Sequence, residues 1–97
     1  MSYKIGFRKR ATKEYLDAVV WYKARSFQAA ENFVLSIQHT LNKTENQPTQ
    51  FRISYKNFHE AKTKRYPFSI IYFIDDIKNL IVITSIFHQK RNPEKKF

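Results

Sequence analysis

The chain is predicted to adopt an α+β fold: an N-terminal strand, an antiparallel helical hairpin, then a mostly antiparallel sheet of three to four strands. Three observations lead there. Residues 12–46 place apolar side chains at helical spacing, residues 51–87 change to alternating and then continuous apolar runs, and turn-forming residues separate those runs. A run of helices followed by a run of strands puts the helices on one face of the sheet and leaves the opposite face open. With 97 residues, 42% of them hydrophobic, and a single glycine, the chain reads as one domain over residues 1–97, without linker, repeat or low-complexity segment.

The elements follow in order. Tyr3, Ile5 and Phe7 alternate with Lys4 and Gly6, a short strand, and Arg8, Lys9 and Arg10 make a basic corner after it. Thr12 is the expected N-cap of the first helix, with Glu14 in its first turn where the helix dipole favours an anion. Tyr15, Leu16, Val19, Val20 and Tyr22 then form one apolar stripe, and Phe27, Ala30, Phe33, Val34, Ile37 and Leu41 form a second after a cap at Ser26. Both stripes are expected in the core. Asn46-Gln47-Pro48 ends the hairpin. Phe51, Ile53 and Tyr55 predict a strand with one wet face, and residues 58–65 a polar strand. On that strand Glu60, Lys62 and Lys64 alternate with His59, Ala61, Thr63 and Arg65. Tyr66-Pro67 interrupts pairing, because proline has no N–H to donate. Residues 68–74 and 80–87 are apolar on both faces and predict two inner strands, joined by a loop at Asp75–Asn79. Residues 88–97 form a basic C-terminal tail.

Composition excludes several classes. Cysteine is absent, so disulfides and thiolate metal sites are excluded, in keeping with a cytoplasmic location. His39, His59 and His88 lack any ligand spacing, and no metal or other cofactor is expected. No signal-peptide pattern and no membrane-length apolar run is present. The net charge is +10, and both halves are basic: residues 1–50 carry 8 cationic and 4 acidic side chains, residues 51–97 carry 10 and 4. Charge spread in this way belongs to the folded body and attracts polyanions, whether nucleic acid or an acidic protein.

Two blocks carry a family resemblance. Arg65-Tyr66-Pro67-Phe68-Ser69-Ile70-Ile71-Tyr72 and the closing Ile86-Phe87-His88-Gln89-Lys90-Arg91-Asn92-Pro93 resemble the RelE/ParE superfamily of type II toxin–antitoxin toxins, which includes plasmid stabilisation proteins. Ala18, Trp21-Tyr22 and Ala30-x-x-Phe33 in the hairpin are similar too, so the likeness spans nearly the whole chain. The resemblance implies a toxin bound by a cognate acidic antitoxin. Its target would be ribosome-bound mRNA, cut by a metal-independent endoribonuclease, or DNA gyrase, bound without chemistry. A module that only pairs with its antitoxin is the third possibility. The shared fold does not separate these.

RNA cleavage without a metal needs a base, an acid and cations around the phosphorane. The candidates are His88 as acid or base, Glu60 as base, and Arg65 and Arg91 as phosphate clamps, since the guanidinium fork matches phosphate oxygens in pairs. By position, Arg65 and His88 best match the arginine and C-terminal basic group of the nuclease branches. Lys62, Lys64 and Lys90 add charge for nucleic-acid or partner binding, and Tyr66 or Phe87 offers a ring for base stacking. Against these roles, Glu60 can simply pair with Lys62 or Lys64, and His39 and His59 are expected in solvent. The tail has no tyrosine after Phe87, unlike the nucleases.

Overall fold

A computed structural model describes residues 3–91 and 93–97. Five strands and two helices are arranged as β1 (Lys4–Phe7), α1 (Lys9–Lys23), α2 (Phe27–Asn46), β2 (Ile53–Tyr55), β3 (Phe58–Lys62), β4 (Phe68–Asp75) and β5 (Leu80–His88), followed by a 3-10 turn over Pro93–Lys95. The sheet order is β1-β5-β4-β3-β2. Strands β2 to β5 form an antiparallel meander, and β1 joins its far edge parallel to β5, with Lys4 opposite Leu80 and Phe7 opposite Ile83. The α+β class holds, and the opening strand makes the sheet five-stranded. Among the described residues no helix is long and apolar enough to cross a membrane.

The core lies between the helical hairpin and one sheet face. Phe33, Ile70, Tyr72, Ile81 and Ile83 are completely or almost completely buried there with Ala11, Ile37 and Ala61. Phe33 sits among four rings, with centroids 6.0 Å from Tyr15, 4.9 Å from Tyr22, 5.6 Å from Tyr66 and 5.2 Å from Phe68. Tyr72 keeps its hydroxyl satisfied inside by donating to the Pro48 carbonyl at 2.6 Å.

Several local expectations are corrected. Helix α1 starts at Lys9, not after Thr12, because the chain turns directly out of β1. The Arg8 N–H reaches the Ile83 carbonyl at 2.9 Å and Arg8 is the N-cap residue. The basic corner is therefore the first turn of the helix, and Glu14 lies beyond that turn. Ser26 does cap α2, accepting from the Ala29 N–H at 2.9 Å. Leu16 and Val20 face solvent, 54% and 68% exposed, as does Phe27 at 70%, so each predicted stripe is wider than the face it buries. A two-helix layer on one sheet needs only a narrow seam per helix, filled on α1 by Ala11, Tyr15, Ala18, Val19 and Tyr22.

The strands differ as well. The first meander strand is shorter than predicted and exposed throughout. The polar strand stops at Lys62, where the Thr63 hydroxyl donates to the Tyr66 and Phe68 carbonyls at 3.0 and 3.2 Å and closes a turn. Arg65 stands in that turn at φ 70°, the left-handed region that non-glycine residues rarely adopt. His59 is buried rather than solvated. Its Nδ1–H donates to the Phe51 carbonyl at 2.7 Å, and its ring stacks on Tyr72 at 5.0 Å. The sheet face away from the helices is not left open. Lys96 lies over Phe87 at 5.6 Å, and the Phe97 ring packs 5.0 Å from Tyr55 and 5.6 Å from Phe58.

Candidate functional site

A groove of about 530 Å³ opens between α1 and the adjoining ends of β4 and β5. Strand register builds it. Phe68 stands opposite His88, and the Gln89 N–H bonds the Pro67 carbonyl at 2.8 Å, so the first residue of β4 meets the last residue of β5. Tyr22, Phe68 and Ile86 contribute its apolar lining, together with Trp21 on the helix. Glu14 and Asp17 stand on the helix side. His88, Lys90 and Arg91 bring cationic or polar groups from the strand end.

His88 is half-buried, with its ring edge-to-face on Phe68 at 5.0 Å. Its Nδ1 accepts the Lys90 backbone N–H at 3.1 Å. An N–H can only donate, so the neutral ring carries its proton on Nε2 and presents a donor. Burial, with the charges of Lys90 and Arg91, pushes its pKa below the ordinary 6.5. The ring is then uncharged near neutral pH. Its titration, followed by NMR of the ring carbon protons, is expected to show a midpoint below 6.5; a midpoint at or above that value contradicts this environment.

The other candidates lie elsewhere. Arg65 and Lys64 line a separate hollow of about 350 Å³ against α2, beside Asn32, Ser36 and His39. The Ser36 hydroxyl donates to the Lys64 carbonyl at 3.1 Å and ties that turn to the helix. The Tyr66 ring packs edge-on against Tyr22 at 5.3 Å and against Phe33, which takes it into the aromatic core. Lys62 is exposed at the end of β3. Glu60 does not pair with Lys62 or Lys64, because its carboxylate is already taken up by Lys96 on the sheet face away from the helices. There it is 2% exposed at the side chain, and its two oxygens accept from Lys96 Nζ at 3.2 and 3.0 Å. Ser54 also donates to it at 3.0 Å. Burial alone raises the Glu60 pKa, but hydrogen bonds from Ser69, Lys96 and Ser54 and the Lys96 charge outweigh it and hold the carboxyl below its ordinary value.

Of the four residues considered for catalysis, His88 and Arg91 therefore share one groove. Arg65 opens toward α2, and Glu60 is held under the C-terminal residues. Glu14 has a part that sequence reasoning missed. Its Oε1 accepts from the Ser85 hydroxyl at 2.7 Å and the Ile86 N–H at 3.0 Å, while Oε2 lies 3.4 Å from Arg10 Nε and 3.6 Å from Arg91 Nη1. Its spacing within the helix marks it only as polar. Of these partners only Arg10 is local; Ser85 and Ile86 come from a strand about seventy residues away and Arg91 from just beyond it, so nothing local signals them.

Comparisons with known proteins agree with this architecture. The profile of the family described as "ParE toxin of type II toxin-antitoxin system, parDE" matches residues 5–93. No curated protein matches in sequence. Among solved structures, the chromosomal ParDE toxin–antitoxin system from P. aeruginosa superposes with a TM-score of 0.71 at 15% identity, covering 89% of this chain and 95% of that one. The intact E. coli RelBE toxin–antitoxin complex gives 0.64 at 17% identity over 92% of this chain and 99% of the other. The isolated E. coli RelE toxin gives 0.63 at 16% over 95% and 89%. Likenesses at these identities concern the fold, whereas the family profile covers nearly the whole sequence. The chain belongs to the family of ParE toxins of type II toxin–antitoxin systems.

Proposed function

We propose that this toxin arrests growth by binding DNA gyrase as a protein ligand, without cutting RNA, and that an acidic antitoxin neutralises it. The observation that carries this reading is the dispersal of the groups that cleavage needs. A base, an acid and a phosphate clamp must act within hydrogen-bond reach of one ribose and its phosphate. Here Glu60 is consumed by Lys96 on one sheet face, and Arg65 lies in a different hollow from His88. His88 has its lone-pair nitrogen, Nδ1, occupied by the Lys90 N–H, so the neutral ring offers no free base. What the groove does offer is an apolar recess whose strand-side rim, Lys90 and Arg91, is cationic and whose helix-side rim, Glu14 and Asp17, is acidic, which suits a protein segment carrying apolar and charged side chains. The net charge of +10 favours an acidic antitoxin.

Ribosome-dependent mRNA cleavage is the second reading, favoured by one observation: His88 and Arg91 share the groove. Primer extension on transcripts from cells expressing the toxin separates the two. Growth arrest with full-length transcripts is the expected result. New 5′ ends that disappear with His88→Ala would favour the nuclease.

A further inference from the structure

We infer that Glu14 is a positioning residue that sets the cationic rim of the groove, an inference that rests on the binding role proposed above. Strand β1 ends at Phe7 opposite Ile83, so among the described residues the following half of β5 has no neighbouring strand on that side. An unpaired strand edge exposes backbone donors and invites unwanted pairing, and a charged side chain turned toward it is one protection. Glu14 supplies that charge. Helix α1 runs alongside, and Glu14 Oε1 accepts the Ile86 N–H where a strand carbonyl would otherwise stand, at 3.0 Å. The Ser85 hydroxyl, completely buried, donates to the same oxygen at 2.7 Å.

This anchoring fixes the carboxylate and leaves Oε2 directed at two guanidinium groups. Its side chain is only 10% exposed, while Arg91 is 57% and Arg10 41% exposed. The carboxylate is thus the buried member of the group, and the arginines are the exposed ones. Arg91 also follows β5 by three residues, and its own N–H bonds the His88 carbonyl at 3.0 Å. Tied to His88 through its backbone and to Glu14 through a 3.6 Å ion pair, Arg91 has its guanidinium biased toward the mouth of the groove while more than half of its side chain remains in solvent. A pre-placed cation loses less conformational entropy when a carboxylate of the target arrives. Glu14 itself touches no target group in this scheme and acts through Arg91.

Glu14→Gln separates the two halves of this role. The amide oxygen still accepts from Ser85 and Ile86, while the charge toward Arg91 is lost. The test uses the full chain as wild type, Glu14→Gln, Arg91→Ala and the double variant. Four readings are taken: toxicity in an inducible strain, gyrase inhibition, amide exchange at Ile86, and rotation of the Arg91 guanidinium by NMR. Glu14→Gln is expected to keep Ile86 protection and thermal stability, free the Arg91 rotation, and lower toxicity roughly fivefold, the size of one oriented charge contact. Arg91→Ala should lose as much, and the double variant no more, because the two act as one unit. Full toxicity with Glu14→Gln overturns the inference. So do additive losses, or a toxicity loss that tracks lowered stability and Ile86 protection, which marks Glu14 as structural. Toxicity without gyrase inhibition removes the gyrase reading alone. The toxicity cycle and the guanidinium rotation then still decide the role of Glu14. A wild type without toxicity overturns both.

Discussion

Phe33→Ala is expected to destabilise the protein by about 3–5 kcal/mol, the usual cost of emptying an aromatic site in a rigid core. Phe33 is completely buried, and rings of Tyr15, Tyr22, Tyr66 and Phe68 surround it from α1, the β3–β4 turn and β4. None of them can fill the void without leaving its own packing, so collapse is limited. For a domain whose total stability is on the order of 5–15 kcal/mol, this is a large fraction. Thermal and urea unfolding followed by circular dichroism measure it. A loss below about 1 kcal/mol would mean that the aromatic cluster is loosely packed, contrary to this description. The same cluster forms one wall of the groove through Tyr22 and Phe68, so partner binding should weaken with it.

Lys96→Ala has the second largest expected effect. It leaves the Glu60 carboxylate buried without its cation. Removing one member of a buried pair costs about 3–5 kcal/mol in general, and the partial exposure of Lys96, 21% at the side chain, lowers the expectation to about 2–3 kcal/mol. Replacing both partners by Glu60→Leu with Lys96→Met should recover much of the loss, because the requirement is compensation and not charge itself. A pH dependence accompanies it. The folded state holds the Glu60 pKa below the ordinary value of 4.5, so the unfolded chain binds the proton more readily. The stabilisation from the wild-type pair is complete above that ordinary value and falls as pH drops through the folded one. Lys96→Ala should flatten this acid-side decline. Equal stability of wild type and Lys96→Ala at pH 7 would show that the C-terminal residues do not pack on the sheet.

Much of the fold was legible because periodicity reports burial directly. The continuous apolar runs at residues 68–74 and 80–87 became the two inner strands β4 and β5, and Ser26 became the cap of α2. The misreadings have physical causes. Leu16 and Val20 repeat at helical spacing, yet a helix on a sheet buries one narrow seam, and periodicity does not state its width. His59 has no local partner in sequence, since the carbonyl it bonds belongs to Phe51 and its stacking ring to Tyr72. The candidate site was legible only at β5, where His88 and Arg91 lie close in sequence and stay close in space. Arg65 was placed by its strand position. The turn at φ 70° then directs it to α2, an effect of Thr63 closing on Phe68 that residue type alone does not announce. Glu60 reads in sequence as a base or as a partner of the neighbouring Lys62 or Lys64, while its cation arrives from Lys96, thirty-six residues away.

The proposed binding of gyrase by the groove, without RNA cleavage, is read out with purified gyrase. Supercoiling of relaxed plasmid is measured with increasing toxin, beside an RNA integrity control on translating ribosomes. Gyrase binding through the groove predicts loss of supercoiling at toxin concentrations that leave mRNA intact, with relief by Arg91→Ala. Unchanged supercoiling together with shortened mRNA would contradict it.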